Sequence, residues 1–159
     1  MEICYRAIGT IHSPFQSTIG MPVQPTGASG QRGHLDLQAE FAAGLQDLEG
    51  FSHLILLYHF HQVEGVQLTV TPFLDAQPHG LFATRAPKRP NPIGLSIVKL
   101  LSRDGCRLQV ENIDVLDGTP LLDLKPYVPE FDSYPQARAG WLEAARGQVE
   151  HQRSDDRFR

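Results

Sequence analysis

Short apolar runs alternate along the chain with clusters of proline, glycine and aspartate. The longest run, Ser52 to Gln62, is almost continuously apolar. Because successive strand residues point to opposite faces, Leu54, Leu56 and Tyr58 share one face of this segment with Phe60. A run of this length and composition predicts a strand in the middle of a sheet, covered on both faces.

Further segments of similar length show the same strand signals and end at turn residues. Asp104 and Gly105 form a hairpin-turn pair between two of them. Many short strands with few helices predict a mainly β fold, namely a single-domain β-barrel that is closed or nearly closed. The predicted strands are Ile3 to Ile11, His34 to Leu37, Val66 to Thr71, Gly80 to Thr84, Ile93 to Ser102 and Arg107 to Ile113.

Helical spacing of apolar residues occurs in two places. Phe41 to Leu48 predicts about two turns of helix. Residues 136–150 predict a C-terminal helix, and residues 151–159 form a charged tail that we expect to fray. The apolar stripe of the C-terminal helix consists of Trp141, Leu142, Ala145 and Val149.

Length and composition limit the organisation of the molecule. A chain of 159 residues with 41% hydrophobic content can bury one ordinary core, which predicts a single barrel domain at 1–135. Cys4 and Cys106 fit neither a disulfide framework nor a zinc-ligand spacing, and we expect both to be buried. The chain shows no leader pattern and no membrane-spanning apolar run, so we expect a soluble, cytoplasmic protein.

Charge is segregated along the chain. The net charge of −4 argues against a nucleic-acid coat that neutralises phosphates over a broad surface. Three cationic residues nevertheless lie within five positions, at Arg85, Lys88 and Arg89. A polyanion is therefore expected to dock at one place.

The segment from Phe82 to Ser96 combines rigidity with polar side chains. Pro87, Pro90 and Pro92 each fix φ and remove a backbone donor. Polar side chains between these prolines project from a backbone that loses little entropy when a ligand binds. The segment predicts a preorganised site, and a solvated surface crossover is the alternative. Its polar residues are Arg85, Lys88, Arg89 and Asn91.

A second polar segment runs from Asp114 to Pro129. Asp117 and Gly118 predict a tight turn, after which Thr119 and Pro120 redirect the chain into another extended piece. A carboxylate followed by glycine and threonine can accept hydrogen bonds from an amine or a ribose hydroxyl, while backbone groups read an adenine edge. A plain turn is the alternative interpretation.

Three imidazoles share the second face of the strand predicted at Ser52 to Gln62, at His53, His59 and His61. Neutral imidazoles two apart on a strand can converge on one ion, which leaves a metal-dependent hydrolase open. The spacing matches no ligand pattern that also supplies further donors and a supporting shell. We therefore favour histidines that are hydrogen-bonded inside a pocket, and predict no metal.

The motifs of the common nucleotide-binding and hydrolase folds are missing from the chain. It contains no GxGxxG, GxxxxGK[ST], GxSxG, HExxH or DFG-type set. A cofactor would therefore have to bind by another architecture.

Three segments occur in this order along the chain: LEGFSHLILLYHFHQ, FATRAPKRPNPIGLS and DVLDGTPLLDLKPYVP. Together they resemble the TrmO family, also called the YaeB-like or TsaA-like domain, over residues 4 to 135. The resemblance implies an S-adenosylmethionine-dependent methyltransferase on an all-β barrel that acts on tRNA. It further implies a homodimer with the cofactor near the subunit interface, and methylation of N6 of threonylcarbamoyl-adenosine beside the anticodon.

Carried over by position, the resemblance implies a cofactor site built from several loops. Arg85 is expected to bind the carboxylate or the hydroxyls of the cofactor. Long bacterial members of the family tend to have a basic residue where this chain has Val23, and they append a further small domain. The implied cofactor contacts are Pro22, Val23, Gln24, His61, Gln62, Arg85, Leu95, Asp117, Gly118, Thr119 and Pro120.

The implied reaction needs hydrogen-bond acceptors beside the nucleophile, because an exocyclic amine attacks poorly while its lone pair is conjugated with the ring. Asp117 and Asn91 are the predicted catalytic residues. A module of the same fold that binds S-adenosylmethionine or RNA without catalysis is the alternative function. The predicted tRNA contacts are Lys88, Arg89, Lys125 and Tyr127.

Overall fold

Alternating apolar residues build a closed antiparallel barrel in the computed structural model, which describes residues 1–148 and 150–157. The strands are β1 (Gly9–His12), β2 (Arg32–Leu37), β3 (His53–His59), β4 (Thr69–Val70), β5 (His79–Gly80), β6 (Ile93–Asp104), β7 (Arg107–Glu111) and β8 (Thr119–Pro126). Around the barrel the order is β1-β2-β7-β6-β3-β8, while β4 and β5 form a separate two-stranded sheet. The predicted mainly β barrel is confirmed.

Strand β3 has the alternation that the sequence predicts. Leu54, Leu56 and Tyr58 point into the barrel and are at most 6% exposed. The residues between them are half-buried, so only the inner face of β3 is fully covered, contrary to the prediction of two covered faces. β3 pairs with β6 on one side and β8 on the other, which confirms its central position.

The barrel core is apolar, and all strands of the barrel contribute side chains to it. Each side chain of this size contributes about 1.5–3 kcal/mol when it is fully buried. Inward-facing residues without solvent exposure are Ile11, Leu35, Leu54, Leu56, Val98, Leu108, Val110 and Leu121.

Residues 60–92 leave the barrel between β3 and β6, and we call them the excursion. The predicted strands at Val66 to Thr71 and Gly80 to Thr84 are wrong in extent, because β4 and β5 have two residues each. After β5 the chain turns into a 3-10 helix, Leu81–Ala83, which Thr84 closes by donating its backbone N–H to the Leu81 carbonyl. The excursion has its own small core of Val70, Leu81 and Ala86.

Helical structure is short throughout the described residues. The helix predicted at Phe41 to Leu48 is replaced by two 3-10 segments, Ala39–Leu45 and Leu48–Gly50, with Asp47 between them at a φ of 65°. The left-handed conformation of Asp47 interrupts the turn pattern. The remaining helices are Pro25–Ala28 and Gly140–Ala145, both 3-10, and the α-helix Pro129–Asp132.

The C-terminal region differs most from the prediction. The prediction of a continuous helix at 136–150 is wrong. The 3-10 helix Gly140–Ala145 begins at Gly140 and ends before Gly147, and the φ values of these two glycines, 58° and 79°, belong to the left-handed region. Trp141 anchors it by donating its indole N–H to the Ala83 carbonyl at 2.8 Å. Val149 of the predicted stripe, like Phe158 and Arg159 of the predicted tail, lies outside the described residues.

The predicted fraying of the tail is wrong for its described part. Arg153 forms a bridge with Pro22, and the backbone N–H of Ser154 donates to the Met21 carbonyl at 2.8 Å. Arg157 lies over the Phe73 ring at 4.8 Å. The tail therefore packs against loops that are distant from it in sequence.

The N-terminal segment is the other correction. β1 begins at Gly9 rather than Ile3, because β2 ends at Leu37, the residue opposite Gly9, and the pairing with β8 also ends at Gly9, opposite Leu121. Cys4 is exposed, which contradicts the expected burial, whereas Cys106 is half-buried against the barrel core. In the described part of the chain, none of the helices is long and apolar enough to cross a membrane.

Candidate active site

A cavity of about 1500 Å³ opens where β3 ends and β6 begins. Its wall combines the first loop (residues 13–31, between β1 and β2), the excursion, the start of β6, the segment before β8 and part of the C-terminal region. Pockets for single drug-sized ligands have roughly 300–1,000 Å³. The cavity can therefore accommodate a nucleotide-sized ligand together with a second group.

Most of the predicted cofactor contacts border this cavity. The guanidinium of Arg85 donates to Gln24 Oε1 at 3.1 Å, which joins the excursion to the first loop. The structure thus brings together side chains that are about 60 residues apart in sequence. The predicted residues on the wall are Pro22, Val23, Gln24, His61, Gln62, Arg85, Arg89, Leu95 and Thr119.

The other predicted site residues, all within the described ranges, do not border the cavity. Asn91 lines a separate hollow of about 220 Å³. Lys125 forms an ion pair with Asp123 at 2.8 Å, and the Tyr127 ring meets His53 edge-on. The residues in question are Asn91, Lys88, Asp117, Gly118, Pro120, Lys125 and Tyr127.

Asp117 faces the outside of the barrel. Its carboxylate accepts hydrogen bonds from the Ser13 backbone N–H at 3.0 Å and from Gln16 Nε2 at 3.2 Å. These donors hold the pKa of Asp117 below its usual range, with the Ser13 N–H as the largest cause. Gly118, at a φ of 77°, makes the tight turn that the sequence predicts.

Arg89 organises the loop on which it lies. Its Nη1 donates to the carbonyls of Leu81, Thr84 and Ala86 at 3.4, 3.0 and 3.3 Å. The same guanidinium lies over the Phe82 ring at 5.5 Å. The predicted RNA contact is therefore also the residue that closes the proline-rich loop on itself.

Three polar side chains form a hydrogen-bonded chain beside the cavity, and we call Tyr58, Ser96 and Asp114 the inner cluster. Tyr58 and Asp114 line the cavity, and Ser96 lies buried between them. Ser96 Oγ donates to Asp114 Oδ1 at 2.6 Å. Because the serine hydrogen is used there, the Tyr58 hydroxyl, 3.0 Å from Ser96 Oγ, donates to the serine. Burial raises the pKa of Asp114 to about 6, and it also raises the pKa of Tyr58.

Gly94 makes room for the inner cluster. It lies opposite Tyr58 in the β3–β6 pairing, and a Cβ at this position would overlap the Tyr58 ring. The missing side chain lets the ring lie across β6 and reach Ser96. A larger residue would have to displace the tyrosine that ends the chain of hydrogen bonds.

Sequence reasoning missed the inner cluster. Its signal was a polar residue at an inward strand position: Ser96 is 1% exposed and occurs on the same face of β6 as Gly94 and Val98. Asp114 directly follows the strand predicted at Arg107 to Ile113. Neither Ser96 nor Asp114 could be recognised from the sequence, because alternation along a strand shows which face a residue occupies but not which residue lies opposite it.

His61 lies at the edge of the cavity, beside the segment before β8. Thr119 donates its hydroxyl hydrogen to the Leu116 carbonyl at 2.7 Å and accepts from His61 Nδ1 at 3.3 Å. Burial lowers the pKa of His61, and the neighbouring His59 adds to the effect. A neutral imidazole that donates from Nδ1 presents Nε2 as an acceptor.

Among the described residues, His53, His59 and His61 do not come together as the ligands of a metal site would. The residues that come together are His12, His34 and Asp36, on the outer side of β1 and β2. His53 Nδ1 instead pairs with Ser52 Oγ at 2.8 Å.

Comparisons with known proteins agree with this architecture. The tRNA-methyltransferase O N-terminal domain family matches residues 10–133. A Pyrococcus abyssi protein named "Probable S-adenosyl-L-methionine-binding protein" is 51% identical over 158 residues, covering 99% of this chain and 86% of that protein. The tRNA (adenine(37)-N6)-methyltransferase of Escherichia coli is 39% identical and covers 89% of this chain and 64% of the enzyme.

Crystal structures show the same fold. TrmO from Pseudomonas aeruginosa superposes with a TM-score of 0.75 at 41% sequence identity, covering 89% of this chain and 63% of that chain. The chain thus spans less than two thirds of the length of these two bacterial relatives, the Escherichia coli enzyme and the crystallised TrmO.

Proposed function

Because the chain belongs to the family of the tRNA-methyltransferase O N-terminal domain, we propose that it transfers the methyl group of S-adenosylmethionine to N6 of threonylcarbamoyl-adenosine next to the tRNA anticodon. One observation carries the proposal: loops matched to this family surround a large cavity whose wall contains a carboxyl group with a raised pKa. Perturbed carboxyl groups in clefts are typical of catalytic sites.

The residues of the cavity suit S-adenosylmethionine. Arg85 can pair with the carboxylate of its methionine part, and the Asp114 carboxylate offers a negative charge to its sulfonium. Phe60, Phe73 and Trp141 supply aromatic surface on the wall for an adenine ring. The volume leaves space for a base of the acceptor, which a loop nucleotide can insert without opening a duplex.

When bound, S-adenosylmethionine supplies a methyl group that its sulfonium already activates, so the protein has to align the nitrogen and accept its proton. N6 of the acceptor base carries one hydrogen, which has to leave as the nitrogen–carbon bond forms. Asp114 has a pKa of about 6 and can accept this proton near neutral pH. Ser96 holds Asp114 Oδ1 in place, and Tyr58 holds Ser96.

Asp117 and Asn91, predicted from the sequence as hydrogen-bond acceptors beside the nucleophile, are the competing candidates for this role. Both lie outside the cavity wall of a single chain. They would act on the base only if the acceptor or a second subunit brought the base outside this cavity. Single-turnover methyl transfer by Asp114→Asn and Asp117→Asn distinguishes the two aspartates.

Donor binding is the first test. Arg85→Ala should weaken S-adenosylmethionine binding at least tenfold in calorimetry, because a charge-assisted hydrogen bond contributes roughly 1.5–3 kcal/mol. Arg32→Ala is the matched control, since Arg32 is an exposed arginine paired with Glu111 at 3.6 Å. Equal affinities for the wild type and Arg85→Ala would remove Arg85 from the donor site.

Methyl transfer is the second test. Wild-type protein, tRNA that carries threonylcarbamoyl-adenosine and S-adenosylmethionine are incubated together, and the nucleosides are then analysed by mass spectrometry. The proposal expects a mass gain of one methyl group on that nucleoside. Unchanged nucleosides from a protein that binds the donor would contradict catalysis.

A binding module without catalysis is the second candidate function. Its support is that the Pyrococcus abyssi relative, at 51% identity, is named for binding alone, whereas the relative at 39% identity is named for catalysis. The methyl-transfer experiment above distinguishes the two functions.

A local basic surface is the proposed contact for tRNA in this cytoplasmic reaction. Lys88 and Arg89 lie on the excursion, Lys125 lies near the end of β8, and Tyr127 directly follows that strand. Because few cations are proposed to contact phosphates, we expect a shallow salt dependence that a double change, Lys88→Ala with Arg89→Ala, flattens further.

A homodimer is proposed with the cavity near the interface. Large apolar side chains beside the cavity are exposed: Phe82 by 74%, Leu95 by 42% and Ile93 by 38%. Contiguous exposed apolar surface of this kind marks interaction sites. Sedimentation should show a dimer that Leu95→Ser weakens, and a wild-type monomer at micromolar concentration would contradict the proposal.

A further inference from the structure

Two histidines and a carboxylate come together on the outer surface of the barrel, and we call His12, His34 and Asp36 the outer cluster. His12 ends β1 and lies directly opposite His34 of β2, while Asp36 follows two residues later on the same face. The two imidazole rings are stacked, with centroids 4.7 Å apart and an interplanar angle of 23°. All three side chains are about one third exposed.

We propose that the outer cluster binds a divalent transition-metal ion of the zinc type. Asp36 Oδ2 lies 3.7 Å from His12 Nε2 and 3.6 Å from His34 Nε2. With metal–ligand bonds of ~2.1 Å, ligand atoms of a tetrahedral site lie ~3.4 Å apart. One ligand atom from each residue lies within 4.8 Å of the others, so a small rotation of the exposed imidazoles completes the site.

The ligand set also fits this class of ion. Imidazole nitrogen and carboxylate oxygen are donors that Zn²⁺ accepts, and soft thiolates are not needed. Two imidazoles and one carboxylate leave at least one position for water or for a group from outside. The ion would join the end of β1 to β2 at the point where the first loop begins.

A second carboxylate orients one of the ligands, which is independent support for the site. Asp117 Oδ1 lies 3.3 Å from His12 Nδ1. A hydrogen on Nδ1 that is shared with a carboxylate leaves Nε2 with its lone pair, and Nε2 is the nitrogen that faces Asp36. This carboxylate–histidine arrangement accompanies most metal-ligating histidines. Asp117 is therefore a positioning residue for His12, and the Ser13 backbone N–H holds Asp117 itself.

Arg107 modulates the site from the neighbouring strand. Its guanidinium binds both oxygens of Asp36, at 2.6 Å from Nε to Oδ1 and 2.8 Å from Nη2 to Oδ2. A carboxylate oxygen has two lone pairs, so Oδ2 can accept from Arg107 and still ligate an ion. The positive charge of Arg107 opposes a cation, and we expect Arg107→Gln to tighten metal binding.

Metal titration tests the proposal. Tag-free protein is freed of metal with a chelator and titrated with Zn²⁺ by calorimetry, and Co²⁺ binding is followed by visible absorption. We expect one ion per chain, binding at least tenfold weaker in both His34→Ala and His12→Gln, and binding ~10–100-fold weaker in Asp117→Asn. His53→Ala is the matched control, because His53 lies on β3 and should leave the titration unchanged.

Several outcomes would overturn the proposal. They are an absence of stoichiometric uptake by the wild type, equal affinity in His34→Ala, and loss of binding in His59→Ala instead. The altered ligands lie on the outer face of the barrel and not in its core, so circular dichroism should confirm that the variants fold. The site lies on the outside of the barrel, and S-adenosylmethionine binding by metal-free protein is a separate readout. The metal proposal and the proposed function can therefore fail independently.

Discussion

Two polar clusters of this molecule each depend on an aspartate of the same segment, in opposite surroundings. In the inner cluster, Asp114 accepts from Ser96 inside a buried wall, and burial raises its pKa to about 6. Three residues later, Asp117 supports the outer cluster from the surface, where the Ser13 N–H and other donors keep its pKa below the usual range. Both carboxylates belong to one short segment between β7 and β8.

The difference shows that solvent access and the number of donors decide what a carboxyl group can do. Asp114 accepts a hydrogen bond from the Ser96 hydroxyl at one oxygen, and the loss of hydrating water is the largest cause of its raised pKa. Asp117 has three donors within 3.3 Å, from Ser13, Gln16 and His12. The first suits exchange of a proton near neutral pH, and the second suits a fixed negative charge.

Removing the inner carboxylate should have the largest effect. Asp114→Asn cannot accept the N6 proton, so single-turnover methyl transfer should slow by ~10²–10⁴-fold while S-adenosylmethionine binding is largely kept. Rapid-quench assays with radiolabelled donor measure the rate. Asp123→Asn is a matched control on β8, where Asp123 pairs with Lys125 at the surface.

The same assay decides between the two clusters. If Asp117→Asn slows the reaction more than Asp114→Asn does, the proton acceptor lies on the outer side of the turn, and the assignment of Asp114 fails.

The pH dependence of stability should differ between wild type and Asp114→Asn. Burial raises the folded pKa of Asp114 to about 6, above its ordinary value of 3.8, so the folded state favours the protonated form. Its contribution to stability is therefore complete below about pH 4 and is lost as the pH rises through about 6. The free energy of unfolding of Asp114→Asn relative to wild type should rise by ~2–3 kcal/mol from pH 4 to pH 7.

Urea unfolding at a series of pH values measures this difference. A difference that stays constant from pH 4 to pH 7 would show that Asp114 is not buried as described.

Gly94→Ala should break the inner cluster through packing. The added Cβ overlaps the Tyr58 ring, and overpacking of a core costs ~1–3 kcal/mol. For a domain of this size each kcal/mol lowers the Tm by ~2–4 °C. Gly44→Ala is the control, because a Cβ at Gly44 meets nothing within 4 Å. Equal Tm values for the two variants would contradict the close approach of β3 and β6.

Arg107→Gln should have the smallest effect on stability. The Arg107–Asp36 ion pair has its arginine side chain 51% exposed, and exposed pairs contribute ~0.2–1 kcal/mol. Calorimetric scans should show a slight decrease in Tm at low salt that disappears at 1 M NaCl, because salt screens exposed charges. A large loss that is independent of salt would mean that the outer cluster is a buried network.

Sequence reasoning was accurate where a residue's neighbours follow from alternation along one strand. Alternation placed Leu54, Leu56 and Tyr58 on one face of β3, and this is the face that the structure buries. The prolines between Phe82 and Ser96 likewise predicted an irregular loop, and Arg85 of that loop does reach the cavity.

Contacts across strands could not be predicted in the same way. His12 and His34 are separated by the first loop, and only the register of β1 against β2 places them side by side. Asp114 and Asp117 are both plausible acceptors in a linear sequence, and only the folded segment shows that Asp114 lines the cavity whereas Asp117 does not. The helix expected at 136–150 failed because two glycines took up left-handed conformations that its apolar spacing does not reveal.

The C-terminal region adds a border to the cavity beyond the part of the chain that defines the family. The family match stops at residue 133, but Trp141, Leu142, Ser154 and Asp155 also line the cavity. A polypeptide cut after that residue would retain every barrel strand and lose one rim of the opening. Changes confined to this short region can therefore alter what the opening admits, with the strands left untouched.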